Sequence, residues 1–107
     1  MKKDYITTEK MIIDWGNSNQ DKINEIYVIG SLISLTIKNK DTHNSDYDLL
    51  IFISDSTDKD ELYSELSSIG LLNGILIHPL FIKESEKKSK LSIKQYADAF
   101  SQKRKIF

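Results

Sequence analysis

Two stretches of this 107-residue chain decide how it folds: EIYVIGS at residues 25–31 and SDYDLLIFI at residues 45–53. The first is a β-branched and aromatic run, which predicts a strand buried on both faces. The second predicts a strand whose apolar residues fill the core. The first run ends in a Gly-Ser pair, and the second begins with two carboxylates, Asp46 and Asp48. We therefore expect two buried strands with polar, chemically useful residues at their ends.

Helices and one further strand surround these two runs. In chain order, the predicted elements are a helix at 7–17, a strand at 25–30, a segment at 31–37 that fits a helix or an extended chain equally well, a polar loop at 38–45, a strand at 46–53, a helix from Ser56 or Thr57 to about Gly70, a strand at 75–82 and a helix at 91–102. The order α-β-α-β-α-β-α predicts an α/β (α+β) fold, in which helices flank a small mixed sheet. The length predicts a single domain over residues 1–107.

Composition excludes several classes of protein. The chain has no cysteine, which excludes a disulfide scaffold, a thiol nucleophile and a cysteine-ligated metal site. No apolar run approaches the ~18–20 residues that a membrane-spanning helix needs. Acidic and basic residues interrupt the first ten positions, so a secretory signal is not expected either. These features predict a cytoplasmic protein with no membrane partner.

Charge is distributed unevenly, although the net charge is only −1. Residues 1–82 contain 13 acids and 7 bases, whereas residues 83–107 contain 8 bases and 3 acids. A basic segment can contact nucleic acid, but this one has a single arginine, Arg104, and no interleaved aromatic platform. We therefore interpret it as a solvated helix and expect no requirement for nucleic acid.

The two carboxylates at the start of the second strand predict a metal site. Residues i and i+2 of a strand point to the same side, so Asp46 and Asp48 project together. Their mutual repulsion is usually relieved by a divalent cation, and Mg²⁺ binds through one or two carboxylates plus phosphate oxygens. Gly30 allows the backbone to approach a phosphate closely, and Ser31 adds a hydroxyl. Alone, a Gly-Ser pair is usually a turn and an Asp-x-Asp pair is usually solvated, whereas together they indicate a nucleotide–metal site.

These motifs resemble the minimal nucleotidyltransferase family of the DNA polymerase β superfamily. The family pattern is a hydrophobic strand, Gly-Ser, a spacer, then Ser-Asp-x-Asp-Leu and a second hydrophobic strand, which residues 26–31 and 44–51 match. The resemblance implies a metal-dependent transfer of a nucleotidyl group, AMP from ATP or another NTP, to a hydroxyl of a protein or small molecule. It also implies that Asp46 and Asp48 bind Mg²⁺ or Mn²⁺ and are catalytic.

The same resemblance implies the remaining contacts of the site and a partner. Gly30, Ser31 and Ser45 would bind the nucleotide. Small domains of this family often work with a helical partner of the HEPN type, sometimes as antitoxin and toxin. A homodimer is the other arrangement that we consider, because a domain of this size has little room for an acceptor pocket.

Three departures from the family pattern support an alternative. The spacer from Leu32 to Ser45 is fourteen residues long, which exceeds the family's usual length, and no arginine follows the Gly-Ser pair. The third strand also lacks the acid that family members carry there. The alternative is therefore a catalytically degenerate fold that binds a nucleotide or a protein, and a weaker one is a scaffold used only for protein interaction.

His78 is the polar side chain on the third strand that would point into the site. A neutral imidazole can ligate a metal or accept a proton, which makes His78 the third catalytic candidate. The structural alternative is a histidine hydrogen-bonded at a sheet edge, because the adjacent Pro79 favours an edge strand or a bulge. Glu84 and Glu86 are weaker candidates, and we expect His43 to be solvated.

Overall fold

The computed structural model describes residues 4–30, 46–92, 101 and 103–107. In chain order, the elements are α1 (Tyr5–Ser18), β1 (Ile23–Ile29), β2 (Tyr47–Ile53), α2 (Lys59–Asn73), β3 (Ile77–Lys83), a 3-10 turn (Glu84–Glu86), α3 (Lys87–Leu91) and β4 (Arg104–Lys105). The ambiguous segment at 31–37, the loop at 38–45 and most of the helix predicted at 91–102 lie outside the described residues. No helix in the described part of the chain is long and apolar enough to cross a membrane.

The four described strands form one mixed sheet in the order β3-β2-β1-β4. Strand β2 pairs antiparallel with β1, which places Ile29 beside Asp48, and parallel with β3, which places Asp48 beside His78. Strand β4 pairs antiparallel with β1 and was not predicted. It consists of two charged residues, so it has neither the length nor the apolar alternation by which a strand is recognised.

Helix α1 begins earlier than predicted because Asp4, rather than Thr7 or Thr8, is its N-cap. The Asp4 carboxylate accepts a hydrogen bond of 2.9 Å from the backbone N–H of Thr7. Thr8 lies one turn inside the helix, where its buried hydroxyl donates to the Asp4 carbonyl at 2.7 Å. The predicted threonines are therefore helical residues, and the aspartate before them satisfies the open N–H groups.

Helix α2 is displaced from its prediction at both ends. Its N-cap is Asp58, whose carboxylate accepts from the Asp60 N–H at 3.0 Å, rather than Ser56 or Thr57. It continues past Gly70 and ends at Gly74, which has a left-handed φ of 67°. Gly70 has another role: a Cβ there would lie 2.4 Å from the Ile75 carbonyl oxygen, so glycine allows the following strand to pack against the helix.

Both faces of the sheet are buried along β2. One face packs against α1 and α2, and the other carries a smaller apolar cluster. The first cluster includes Tyr47, Leu49, Ile51 and Ile53 of β2 together with Ile12, Trp15, Leu62 and Leu66. The second contains Tyr27, Leu50, Phe52 and Ile82. Alternate residues of β2 therefore serve opposite faces, as its continuous apolar run predicts.

In the described part of the basic segment 83–107, several side chains contact the rest of the chain, while most of the helix that we interpret as solvated lies outside the described residues. The Lys87 ammonium donates to Glu25 at 3.3 Å and lies 4.3 Å from the centre of the Phe52 ring. The Lys103 ammonium lies 5.3 Å from the centre of the Tyr27 ring. Lysine stems can cover apolar surface while their charges remain near acids and ring faces, so Lys87 and Lys103 pack against the sheet, while several other described residues of the segment are exposed.

A polar cluster of Glu9, Tyr47 and Arg104, which we call the Glu9 cluster, joins α1, β2 and β4. Two guanidinium nitrogens of Arg104 donate to the two Glu9 oxygens at 2.6 and 3.1 Å. The hydroxyl of Tyr47, which is fully buried, also donates to Glu9. Burial raises the pKa of Glu9, but the hydrogen bonds from Arg104 and Tyr47 and the Arg104 charge lower it by more, so this pKa lies below its ordinary value.

Leu66→Ala should destabilise the fold by about 2–5 kcal/mol, because it removes buried methyl groups and leaves a cavity. Leu66 is 0% exposed, whereas Leu72 of the same helix is 65% exposed. The matched variant Leu72→Ala should change the free energy of unfolding by no more than about 0.5 kcal/mol. Urea denaturation of both variants measures the difference, and equal losses would contradict the packing described here.

The Glu9 cluster should make the free energy of unfolding depend on pH. Because folding lowers the pKa of Glu9, the contribution is present above the ordinary pKa of about 4.5 and is lost as pH falls through the lowered value. Glu9→Gln should therefore be less stable than the natural protein at pH 7, and the gap should shrink on acidification. Urea denaturation across this range tests it. Glu61→Gln, in an exposed pair with Lys22, is the control and should have little effect.

Candidate active site

Asp48 and Gly30 lie against each other at one end of the sheet. β1 ends at Ile29, which pairs with Asp48, and Gly30 follows at once. A Cβ on Gly30 would lie 2.6 Å from the Asp48 Oδ2 atom, and the φ of Gly30 is +73°. Both the backbone conformation and the close approach therefore require glycine at this position. The Gly-Ser and Asp-x-Asp motifs are therefore close together, as predicted, at Gly30 and Asp48.

His78 lies on the other side of Asp48. The two residues are register partners on the parallel strands β2 and β3. The His78 Nε2 atom is 3.0 Å from the Asp46 Oδ2 atom, and both side chains are about half exposed, at 51% and 47%. Within the described sheet, β3 is an edge strand, as Pro79 predicts. The histidine is therefore hydrogen-bonded at a sheet edge and, in the same position, faces the carboxylate pair.

The electrostatic surroundings favour a cation at this end of the sheet. Burial raises the pKa of Asp48, and the nearby Asp46 carboxylate raises it further, while His78 opposes the shift. A carboxylate that is partly desolvated beside a second one is stabilised in its charged form by a positive charge. The pair thus fits a divalent cation in sign and in donor type, since carboxylate oxygens are the ligands that Mg²⁺ prefers.

The described residues do not complete a metal site by themselves. Within 4–30, 46–92, 101 and 103–107, no three His, Cys, Asp or Glu side chains are grouped closely enough to hold an ion. Mg²⁺ is commonly held by one or two carboxylates, with substrate phosphates and water completing its six ligands. Asp46 and Asp48 therefore fit an ion whose remaining ligands come from outside the described residues, such as phosphate oxygens or water.

Other predicted candidates lie elsewhere or outside the described residues. Glu84 follows β3 at its far end, about 20 Å along the strand from His78, and accepts a hydrogen bond of 3.0 Å from Asn24. Glu84 is therefore too far away to belong to the site, and so is Glu86, which lies on the same 3-10 turn. The nucleotide-binding candidates Ser31 and Ser45 lie outside the described residues, and so does His43.

Sequence reasoning missed the Glu9 cluster, which lies directly behind the carboxylate pair. Tyr47 is the residue between Asp46 and Asp48, and its side chain points to the opposite face, where it meets Glu9. One signal was available, because Glu9 stands between Tyr5 and Ile12 on the apolar stripe of α1, where an acid needs a partner. The identity of that partner, Arg104, was not accessible from any local pattern.

Gly30→Ala should destabilise the protein by more than the left-handed conformation alone accounts for. Gly74→Ala is the matched control, since its φ of +67° is similar and it should cost about 1–2 kcal/mol. Gly30→Ala adds a clash with the Asp48 carboxylate. Chemical denaturation of both variants measures the difference, and a Gly30→Ala loss no larger than that of Gly74→Ala would contradict this close approach.

Comparisons with known proteins identify the fold. No family model matches the sequence, and no curated protein matches it. A chain in the crystal structure of the toxin–antitoxin pair MntA–HpeT, in a mutant form, is similar in structure, with a TM-score of 0.61 and 19% sequence identity. The similarity covers 92% of this chain and 71% of that chain. The predicted fold class, an α/β (α+β) fold with a small mixed sheet flanked by helices, is therefore confirmed.

Proposed function

We propose that this protein is a metal-dependent nucleotidyltransferase that transfers a nucleotidyl group, AMP from ATP, to a hydroxyl on a protein or a small molecule. The observation that carries the proposal is the close grouping at one sheet end. Gly30 abuts Asp48, and His78 contacts Asp46 across the parallel pairing of β2 and β3. This grouping would bring a phosphate at Gly30 next to a metal ion at the carboxylates, as the reaction requires.

Each residue of the group has a proposed role. Asp46 and Asp48 hold Mg²⁺ or Mn²⁺, which neutralises phosphate charge when it is bound. Gly30 leaves its backbone open to the phosphates, and Ser31 and Ser45 are proposed to bind the nucleotide. His78 orients Asp46 by donating its Nε2–H at 3.0 Å, and its other ring nitrogen, Nδ1, takes the proton of the acceptor hydroxyl. The acceptor oxygen then bonds to the α-phosphorus as pyrophosphate leaves.

A protein acceptor is the arrangement that the surface supports best. Leu71, Leu72 and Leu76 are 81%, 65% and 59% exposed. Leu76 directly precedes β3, at the same end of the sheet as Asp46, and its carbonyl accepts the Tyr47 N–H at 2.8 Å. The similar solved structure is a toxin–antitoxin pair. We therefore propose an antitoxin-like role in the cytoplasm with a helical, HEPN-like protein partner, and a homodimer as the other arrangement.

A second function is favoured by the composition of the third strand. His78 stands opposite Asp48 where a third acid would complete the site, and β3 has no acid at all. An imidazole is a poor ligand for Mg²⁺, which prefers oxygen. The alternative is a degenerate nucleotidyltransferase fold that binds a nucleotide or a protein partner without transfer.

Calorimetric titration of ATP, with and without Mg²⁺ or Mn²⁺, tests nucleotide binding. We expect metal-dependent binding by the natural protein and its loss in Asp46→Asn and Asp48→Asn, because these carboxylates are the proposed ligands. Asp14→Asn, which changes an exposed acid on α1, is the control and should bind normally. An absence of metal-dependent binding by the natural protein would contradict both functions that involve a nucleotide.

His78→Asp separates the enzyme from the degenerate fold. Transfer of labelled AMP to a co-expressed candidate partner protein is measured for the natural protein and for this variant. Transfer by the natural protein supports the enzyme. Binding without transfer by the natural protein, together with transfer by His78→Asp, favours the degenerate fold, because the substitution restores the missing acid.

A further inference from the structure

We propose that Glu9 and Arg104 are positioning residues for the Asp46 and Asp48 carboxylates, acting through Tyr47. The inference rests on the proposed function only in taking these two carboxylates as the working groups. Neither Glu9 nor Arg104 belongs to the site itself. Glu9 is on α1, and Arg104 is on β4 at the opposite edge of the described sheet from His78.

Tyr47 is held at both its side chain and its main chain. It is the first residue of β2 and is 0% exposed. Its hydroxyl donates to Glu9, and its backbone N–H donates to the Leu76 carbonyl at 2.8 Å. Glu9 in turn is fixed by the two-pronged contact of Arg104 at 2.6 and 3.1 Å. Paired hydrogen bonds between a guanidinium and a carboxylate fix direction as well as distance.

Fixing Tyr47 fixes the direction of its two neighbours. Successive residues of a strand point to opposite faces, so a Tyr47 side chain anchored beside α1 turns Asp46 and Asp48 to the other face. Asp46 needs this support most, because it precedes β2 and its side chain is 47% exposed. The contact between Asp46 and His78 at 3.0 Å forms on that other face. The Glu9 cluster is therefore the rear support of the carboxylate pair.

The chain provides its own control for this support. A second cluster has the same chemistry: the Tyr27 hydroxyl donates to Glu25, which also binds Lys87 at 3.3 Å and Lys105 at 3.8 Å. Tyr27 lies on β1, where its register partner on β2 is Leu50. Unlike Tyr47, it is not adjacent in sequence to either carboxylate. Loss of the Tyr27 hydroxyl therefore removes a tyrosine–glutamate hydrogen bond that is not part of the Glu9 cluster.

Nuclear magnetic resonance of the metal-free protein, at one fixed pH, tests the inference directly. The signals compared are the His78 imidazole and the side-chain carboxyl carbons of Asp46 and Asp48. We expect Arg104→Lys and Tyr47→Phe to shift these signals several-fold more than Tyr27→Phe does. Arg104→Lys is the decisive variant, because it changes no atom next to either carboxylate in sequence. Signals that move no more in Arg104→Lys than in Tyr27→Phe would overturn the inference.

The affinity for Mn²⁺, measured by electron paramagnetic resonance with ATP present, provides a second readout. Arg104→Lys should weaken it by about 10-fold, as is typical when groups behind metal ligands are altered. Leu66→Ala, which should lose stability without removing a hydrogen bond of the Glu9 cluster, should bind as the natural protein does. Equal affinities in Arg104→Lys and the natural protein would count against positioning. If the natural protein itself binds no Mn²⁺, the proposed function fails, while the metal-free measurement still decides this inference.

Discussion

The pairing of β2 on both of its edges is the constraint on which the rest of the structure depends. Its antiparallel pairing with β1 brings Asp48 to Ile29 and Gly30, and its parallel pairing with β3 brings Asp48 to His78. A shift of β2 by one residue would move Asp46 and Asp48 to the face that packs against α1 and α2, and it would take Tyr47 away from Glu9. The two pairings of β2 therefore fix the site as firmly as they fix the fold.

The central strands were predictable because their signal is local. Long apolar runs are read from neighbouring residues, and β1 and β2 lie within two residues of their predictions. The ends of elements were less predictable, since several residues within one turn are able to cap a helix. Asp4 and Asp58 did so in place of the threonines that follow or precede them. Strand β4 has two charged residues, and only the tertiary pairing with β1 defines it.

The candidate site was likewise predictable only in part. Asp46, Asp48 and Gly30 were identified from spacing, and His78 was identified because it is a lone polar residue on an apolar strand. Arg104 was not, because its partner Glu9 lies 95 residues away and no sequence pattern links them. The basic segment illustrates the same limit, because its charge excess does not reveal that Lys87, Arg104 and Lys105 pair with acids far away in sequence. Composition gives the number of charged residues, but it does not show which of them form ion pairs.

The attachment of Arg104 to a short edge strand has a consequence for local unfolding. Strand β4 consists of two residues and pairs only with β1 within the described sheet. A local opening that detaches residues 104–107 would remove the guanidinium from Glu9 without breaking the pairing of β1, β2 and β3. The rear support of the carboxylate pair is therefore lost in a smaller opening than the one that separates Asp48 from His78.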